Sequence, residues 1–369
     1  MRSRWVSVWI FFIVIGALAV VAQTPGIGTL RGRVLDPSGA PVGGARVEIL
    51  NQATGYSRAV ATDAAGLFVA PELPLTGSYT VTVSKDGFAA QHRADLVLRA
   101  GEVAAVDTVL QPEAVESAIT VYGTAEGVRA DSPQLGTRFD NKKIEETPLL
   151  GGKITSLPLL NSAVRPARGT GDLFINNTLF VINGGGRRQT TFTIDGSGAD
   201  DSWGRQSIFT NIPVAAVQEF TVLTNSFSAE YGRSTGGAVN LVTRTGTNDL
   251  RADVTFTARP GGLQANTPVT DQEAHDELWQ GSAVASGALV HDRAHWAAGA
   301  EYTDQQRDSV ITSALSPGVF TGKFKQTLLF ARFDGDINAE HHWLARAERR
   351  RSRRAGSRPR RRGSRPPRA

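Results

Sequence analysis

The chain has 369 residues, room for two or three domains, and contains no cysteine. That excludes disulfides, thiolate zinc sites, thiol nucleophiles and a lipid-anchoring cysteine behind a leader peptide. The formal charge of +5 is a poor guide: residues 346–369 hold twelve arginines against one acid, leaving the rest of the chain at −6.

Met1-Arg2-Ser3-Arg4 opens the chain with two positive charges. An apolar run from Trp5 to Ala22 follows, broken only by Ser7 and Gly16, and Val20-Val21-Ala22 puts small residues at its exit. This is the pattern of a secretory signal peptide over residues 1–22, with Gln23 starting the mature protein. The alternative, a membrane anchor, is opposed by polar, glycine-rich sequence with no basic stop-transfer cluster. An exported bacterial protein is expected.

Residues 27–111 show period-two alternation cut by turn signals at close intervals. Leu30–Leu35 ends at Asp36-Pro37-Ser38-Gly39, and Arg46–Leu50 at Asn51-Gln52-Ala53-Thr54-Gly55. Tyr56–Thr62 ends at Asp63-Ala64-Ala65-Gly66, followed by Leu67–Ala70. Tyr79–Ser84, Ala94–Leu98 and Val103–Leu110 complete about seven strands, which predicts a small antiparallel β-sandwich. Residues 112–250 are read as a linker, a short strand at Ile119–Tyr122 and an α/β domain. Short helices are expected at Asn141–Glu146, Ile154–Leu160 and Pro213–Glu219, the last with proline in its first turn. Strands are expected at Phe180–Asn183, Thr191–Ile194, Phe220–Leu223 and Ala238–Thr243, the first two joined by the glycine turn Gly184-Gly185-Gly186. Over residues 251–347, Asp253–Ala258, Ser282–Leu289, Trp296–Tyr302, Leu328–Asp334 and His342–Ala347 alternate weakly, as transmembrane barrel strands do. The Arg-rich residues 348–369 carry no lysine and no aromatic to stack on a base, so no nucleic-acid partner is expected. Arg, Ala, Gly, Pro and Ser are what GC-rich DNA encodes out of frame, and a frameshift near Arg346–Glu348 is the expectation.

Several motifs point to chemistry and are outweighed by their context. Gly232-Arg233-Ser234-Thr235-Gly236 fits the G-x-S-x-G of a nucleophile elbow, which needs a helix after the serine. Ala238–Thr243 is instead β-branched and alternating, so a turn between strands is expected. Gly184–Arg188 lacks the Lys-Ser/Thr and helix of a phosphate loop, which favours a hairpin or a ligand-facing loop. His291 and His295 straddle an expected β-turn, and His341-His342 would point to opposite strand faces, so neither pair forms a simple metal site. No catalytic residue, cofactor or metal is expected.

Phe220-Thr221-Val222-Leu223-Thr224-Asn225, then Ser228-Ala229-Glu230-Tyr231-Gly232-Arg233-Ser234-Thr235-Gly236-Gly237 running into Ala238–Thr243, resembles the end of the plug domain of TonB-dependent outer-membrane receptors, closest to the Oar-like branch. Thr193-Ile194-Asp195-Gly196 and Val217-Gln218-Glu219-Phe220 match the same domain in order. The sandwich, with Gly32–Ala40 and Lys85-Asp86-Gly87-Phe88, is similar to the carboxypeptidase-regulatory-like domain that often precedes such plugs. The resemblance covers residues 27–347. It implies a mainly β protein: an N-terminal β-sandwich, an α/β plug domain and the first few strands of an incomplete outer-membrane β-barrel.

It further implies plug-gated, energy-coupled uptake at the outer membrane. The expected partners are TonB with its inner-membrane energising complex, outer-membrane lipid and an unknown extracellular substrate, and the N-terminal domain would face the periplasm. Ile119-Thr120-Val121-Tyr122-Gly123 resembles a TonB box, an exposed strand offered to a partner's sheet edge; an ordinary first plug strand is the alternative. Asp200, Asp201, Trp203 and Arg205 are candidates for a ligand-facing plug loop, with a solvated loop as the alternative. About five strands cannot close a barrel of some 22, so an N-terminal piece that does not transport alone is expected. The competing function is a secreted or cell-surface module binding carbohydrate or protein.

Overall fold

The computed structural model describes residues 27–100, 103–113, 120–122, 129–130, 135–147, 149, 154–166, 180–186, 189–199, 212–227, 231–232, 234–263, 276–311, 318–338 and 341–359. The expected signal peptide lies outside them.

Two aspartate turns frame the first strands. Asp36 accepts from the Ser38 hydroxyl at 2.6 Å and from the Ser38 and Ala40 N–H groups at 2.9 Å. These donors, the hydroxyl foremost, hold its carboxyl below the usual carboxylate range. Asp63 repeats the device on Ala65 and Leu67 at 2.9 and 2.8 Å. In each turn the glycine three residues on takes the left-handed backbone, Gly39 at φ 86° and Gly66 at φ 70°.

Around these turns run β1 (Gly28–Leu35), β2 (Arg46–Asn51), β3 (Ser57–Ala61), β4 (Leu67–Leu73), β5 (Tyr79–Ser84), β6 (Phe88–Ala89), β7 (Gln91–Leu96), β8 (Val103–Ala105), β9 (Thr108–Val109) and β10 (Gln111–Pro112). One sheet orders β8-β1-β4, with β9 also on β1, and the other orders β7-β5-β2-β3. Leu30 and Val34, Val47 and Ile49, and Tyr79, Val81 and Val83 alternate inward and share one buried core. The Tyr79 hydroxyl stays satisfied there by donating to the Pro74 carbonyl at 2.5 Å.

Two details depart from the sequence reading. Val103–Leu110 is not one antiparallel strand but β8 and β9, both parallel to β1. Between them Val106 N–H donates to the Arg31 carbonyl at 2.8 Å, and the Asp107 carboxylate accepts from Arg33 N–H at 3.0 Å. The strand read as Ala94–Leu98 starts at Gln91, where polar Gln91-His92-Arg93 hides the alternation. It is bulged against β5 near Asp95, whose φ is 58°.

The linker adds β11 (Thr120–Tyr122) and β12 (Arg129–Ala130). β11 lies parallel to β7 and β12 antiparallel to β8, so each sandwich sheet gains one strand from it.

The next unit contains β13 (Leu135–Asp140), α1 (Asn141–Glu146), β14 (Val164–Pro166), β15 (Phe180–Ile182), β16 (Thr190–Ile194), β17 (Ser197–Gly198), β18 (Val217–Asn225) and β19 (Gly237–Thr243). Asp140 caps α1 by accepting from Lys143 N–H at 2.8 Å, and Ile144 is its buried residue. The sheet runs β13-β18-β19-β16-β17, with β16 parallel to β19. β19 is buried along its whole length, as a central strand covered on both faces should be. The short helix expected at Ile154–Leu160 is present as a 3₁₀ helix, with Pro158 unable to donate inside it. Two other short elements differ from expectation. Of Pro213–Glu219 only Val214–Ala216 coils, because Val217 already pairs with Thr243. Gly184–Gly186 closes no hairpin, since β15 pairs with β14 and β16 with β19.

Finally β20 (Arg251–Arg259), β21 (Asp276–Val290), β22 (Ala294–Ile311), β23 (Gly318–Asp336) and β24 (His342–Pro359) form an antiparallel meander in chain order. All five strands read from the sequence are present, and all are longer, at 9, 15, 18, 19 and 18 residues. About 9–11 residues cross a membrane. The rest is polar sequence such as Asp304–Asp308, where pairing continues but hydrophobic alternation does not. Among the described residues this sheet is open, with β20 and β24 as its edges.

β24 carries the Arg-rich segment outward. Phe333↔Ala345 and Leu329↔Arg349 are direct pairs, so Arg349, Arg351 and Arg353 share the outer face with Leu329 and Phe333. An arginine facing lipid costs about 2–4 kcal/mol near the bilayer midplane. Arg349→Leu combined with Arg351→Leu is therefore expected to raise the fraction of chain protected from proteinase K in phospholipid vesicles. Equal protection in the parent would mean that this face does not meet lipid.

Candidate functional site

The inner face of the meander packs against the second unit. Val284, Ala297 and Phe330 from β21, β22 and β23 join one buried cluster with Phe192, Phe220 and Leu241. Within that contact lies Asp195, at the end of β16, with its side chain only 3% exposed. Asp195 Oδ1 accepts from Thr243 N–H at 2.7 Å and from Arg332 at 3.1 Å. Its Oδ2 accepts from the Thr243 hydroxyl at 2.7 Å and from Arg346 at 2.5 Å. Arg332 also donates to the Thr243 carbonyl at 3.0 Å and pairs with Asp334 at 3.1 Å, while Arg346 pairs with Glu348 at 2.7 Å. One carboxylate thus ties β16 and β19 to β23 and β24. A second tie runs from Val214 N–H to the buried Glu301 carboxylate at 3.1 Å.

The sandwich is fastened beneath this contact. Asn248 N–H donates to the Ala53 carbonyl at 2.8 Å, and its side chain bonds Asp292, in the turn between β21 and β22, in both directions at 2.6 and 2.9 Å. Hydrogen bonds from His291 and Asn248 hold the Asp292 carboxyl below its usual range. Thr76 and Thr245 join hydroxyls across the same seam. A cavity of about 960 Å³ lies between the three units, lined by Leu98 and Arg99, Arg138 and Glu145, and Arg251 and Asp253 among others.

Of the TonB-box-like residues, Thr120, Val121 and Tyr122 form β11 in register with His92, Arg93 and Ala94; Ile119 and Gly123 lie outside the described residues. Asp200, Asp201, Trp203 and Arg205 lie outside them as well. Ser234 sits in a turn, where its hydroxyl contacts the main chain of Gln189 at 3.0 Å and of Gly237. Strand β19 follows it, as the sequence suggested, rather than a helix. His295 contacts Asn248 at 3.1 Å and His291 pairs with Asp292 at 3.0 Å, so the two are engaged separately. Among the described residues no three His, Asp or Glu side chains converge on a metal-binding position. The sequence reading singled out neither Asp195 as a tie nor Arg332 and Arg346 as its partners. The available signal was a lone arginine on the inward face of the otherwise apolar Leu328–Phe333.

Residues 29–111 match the carboxypeptidase regulatory-like domain family and residues 156–239 the TonB-dependent receptor plug domain family. A regulatory-like sandwich followed by a plug is the order that the sequence resemblance implied, and the resemblance to TonB-dependent outer-membrane receptors holds. The chain is 27% identical over 283 residues to the TonB-dependent transporter Oar of Myxococcus xanthus, covering 73% of this chain and 26% of that protein. It therefore spans about a quarter of the length of that relative. Solved structures similar to it include the siderophore receptor PirA of Acinetobacter baumannii (TM-score 0.48, 18% identity, 64% of this chain and 34% of that one). Another is the ferric enterobactin receptor PfeA of Pseudomonas aeruginosa (TM-score 0.47, 14% identity, 59% and 33%).

Proposed function

We propose that this chain supplies the periplasmic and plug portions of an outer-membrane receptor that takes up an extracellular substrate by coupling to TonB. The observation that carries the reading is the plug sheet seated on the inner face of the meander, sharing its core and tied through Asp195. In the complete assembly further strands would close the sheet, because an open strand edge in lipid leaves each backbone group unpaired at several kcal/mol. Substrate would bind from outside, and a pull through the linker would shift the plug. The chain's own groups perform no covalent chemistry in this scheme; they bind, occlude and transmit force. TonB would take hold of residues 119–123 by strand addition, where main-chain hydrogen bonds dominate and the sequence can be loose.

The test is capture of the detergent-solubilised chain on immobilised TonB periplasmic domain. Val121→Pro removes an N–H from the strand and is expected to abolish capture without changing expression. Unchanged capture would remove the TonB-box assignment.

A further inference from the structure

Resting on that reading, we propose that the sandwich is a strand-accepting latch, and that its β7 edge holds residues 120–122 in competition with TonB. Without β11, β7 would be the outer strand of its sheet, a row of main-chain donors and acceptors open to an extended partner. β11 covers that row in parallel register, Thr120 on His92, Val121 on Arg93 and Tyr122 on Ala94. β12, further along the same linker, adds to β8 in the other sheet, so the linker is clasped at both sandwich edges before it reaches the plug. β7 pairs one edge of this strand, and the latch requires TonB to use the main-chain groups of that same edge. The two partners are mutually exclusive wherever they use the same edge of the strand.

A second observation marks the β7 edge as a seat for extended chain. Beside it Gln91, His92, Arg93, Asp107 and Thr108 help line a recess of about 240 Å³. Gln91 Nε2 and Thr108 Oγ1 are buried in this region, and neither has a hydrogen-bond partner among the described residues. Buried polar atoms are normally paired, so the recess offers one amide donor and one hydroxyl to an incoming chain. Arg93 is fixed alongside by donating to the Asp107 carbonyl at 2.9 Å, and His92 is held against Thr82 at 3.0 Å. Recognition by strand addition combines such a main-chain row with side-chain recesses beside it. Three residue pairs make a clasp short enough to exchange.

The chain contains no cysteine, so Arg93→Cys with Val121→Cys introduces one unambiguous pair. It should oxidise readily to an internal disulfide, since the two positions face each other in register. The oxidised chain is expected to bind immobilised TonB periplasmic domain at least tenfold more weakly than the same chain after reduction. If the disulfide does not form, or if oxidised and reduced chains bind alike while Val121→Pro abolishes binding, the latch is wrong and the TonB-box assignment stands. If the disulfide forms but the reduced chain does not bind TonB at all, competition is overturned together with the TonB-box assignment, and β11 is a structural strand.

Discussion

Asp195→Ala is expected to destabilise the folded chain by about 3–5 kcal/mol, because removing one member of a buried ion pair strands the charge of the others. Arg332 is the buried cation most affected: its side chain is 8% exposed, and Asp195 is one of two carboxylates that face it. Thr243 would also lose acceptors for both its N–H and its hydroxyl. Asp195→Asn should fall between, since the amide oxygen can still accept from one of these groups but cancels no charge. The pairwise nature of the effect can be read from a cycle. Arg332→Met alone breaks the pairs with both Asp195 and Asp334, so in the double variant with Asp195→Ala the loss should be smaller than the sum of the two single losses. Urea denaturation of the detergent-solubilised chain measures all four combinations. A loss below about 1 kcal/mol for Asp195→Ala, in the range of exposed pairs, would show that the plug is held by its apolar contact alone. The tie also bears on gating. Any movement of β16 away from β23 and β24 must break the Asp195 bonds, so under the proposed mechanism a weakened tie should lower the force needed to shift the plug.

The sequence revealed most where a local rule was strong. Asp36 and Asp63 with their glycines announced two turns that the structure builds from the carboxylate hydrogen bonds such turns require. Helix α1 coincides with the expected Asn141–Glu146 because Asp140 caps it and its one apolar residue faces the sheet. Local pattern does not determine structure where long-range pairing decides the outcome. Phe180–Ile182 and Thr190–Ile194 look like the arms of a hairpin, yet each finds a partner distant in sequence. Val217–Glu219 looked helical behind its proline, and pairing with β19 took it into a strand. The meander strands were placed correctly and drawn too short, because hydrophobic alternation is lost in polar stretches such as Asp304–Asp308 while strand pairing continues. Asp195 was visible only as part of a phrase, since nothing local says that an aspartate after a strand will meet two arginines 137 and 151 residues away.

Gly32→Val should prevent the sandwich from folding while leaving the plug and meander intact. Gly32 lies in β1 at the crossing with the segment that joins β8 to β9, and a Cβ there would run into the Val106 carbonyl oxygen and the Phe68 ring. Overpacking a core typically costs about 1–3 kcal/mol, and more when the obstacle is backbone that cannot rotate away. Here the obstacle is backbone fixed by the Val106-to-Arg31 hydrogen bond, and relieving it would detach β8 and β9 from β1. Gly32→Ala should show the same effect in weaker form. Limited trypsin digestion reads the result, since Arg31, Arg33, Arg46 and Arg58 all lie within the sandwich. Rapid cleavage at those sites, with a resistant fragment from the plug onward, is expected; resistance equal to the parent would mean that β1 can shift to accept a side chain. The same variant also separates two roles of the sandwich. If the domain is a latch, unfolding it frees residues 120–122 and TonB capture should rise. If the sandwich instead presents the strand to TonB, capture should fall with the fold.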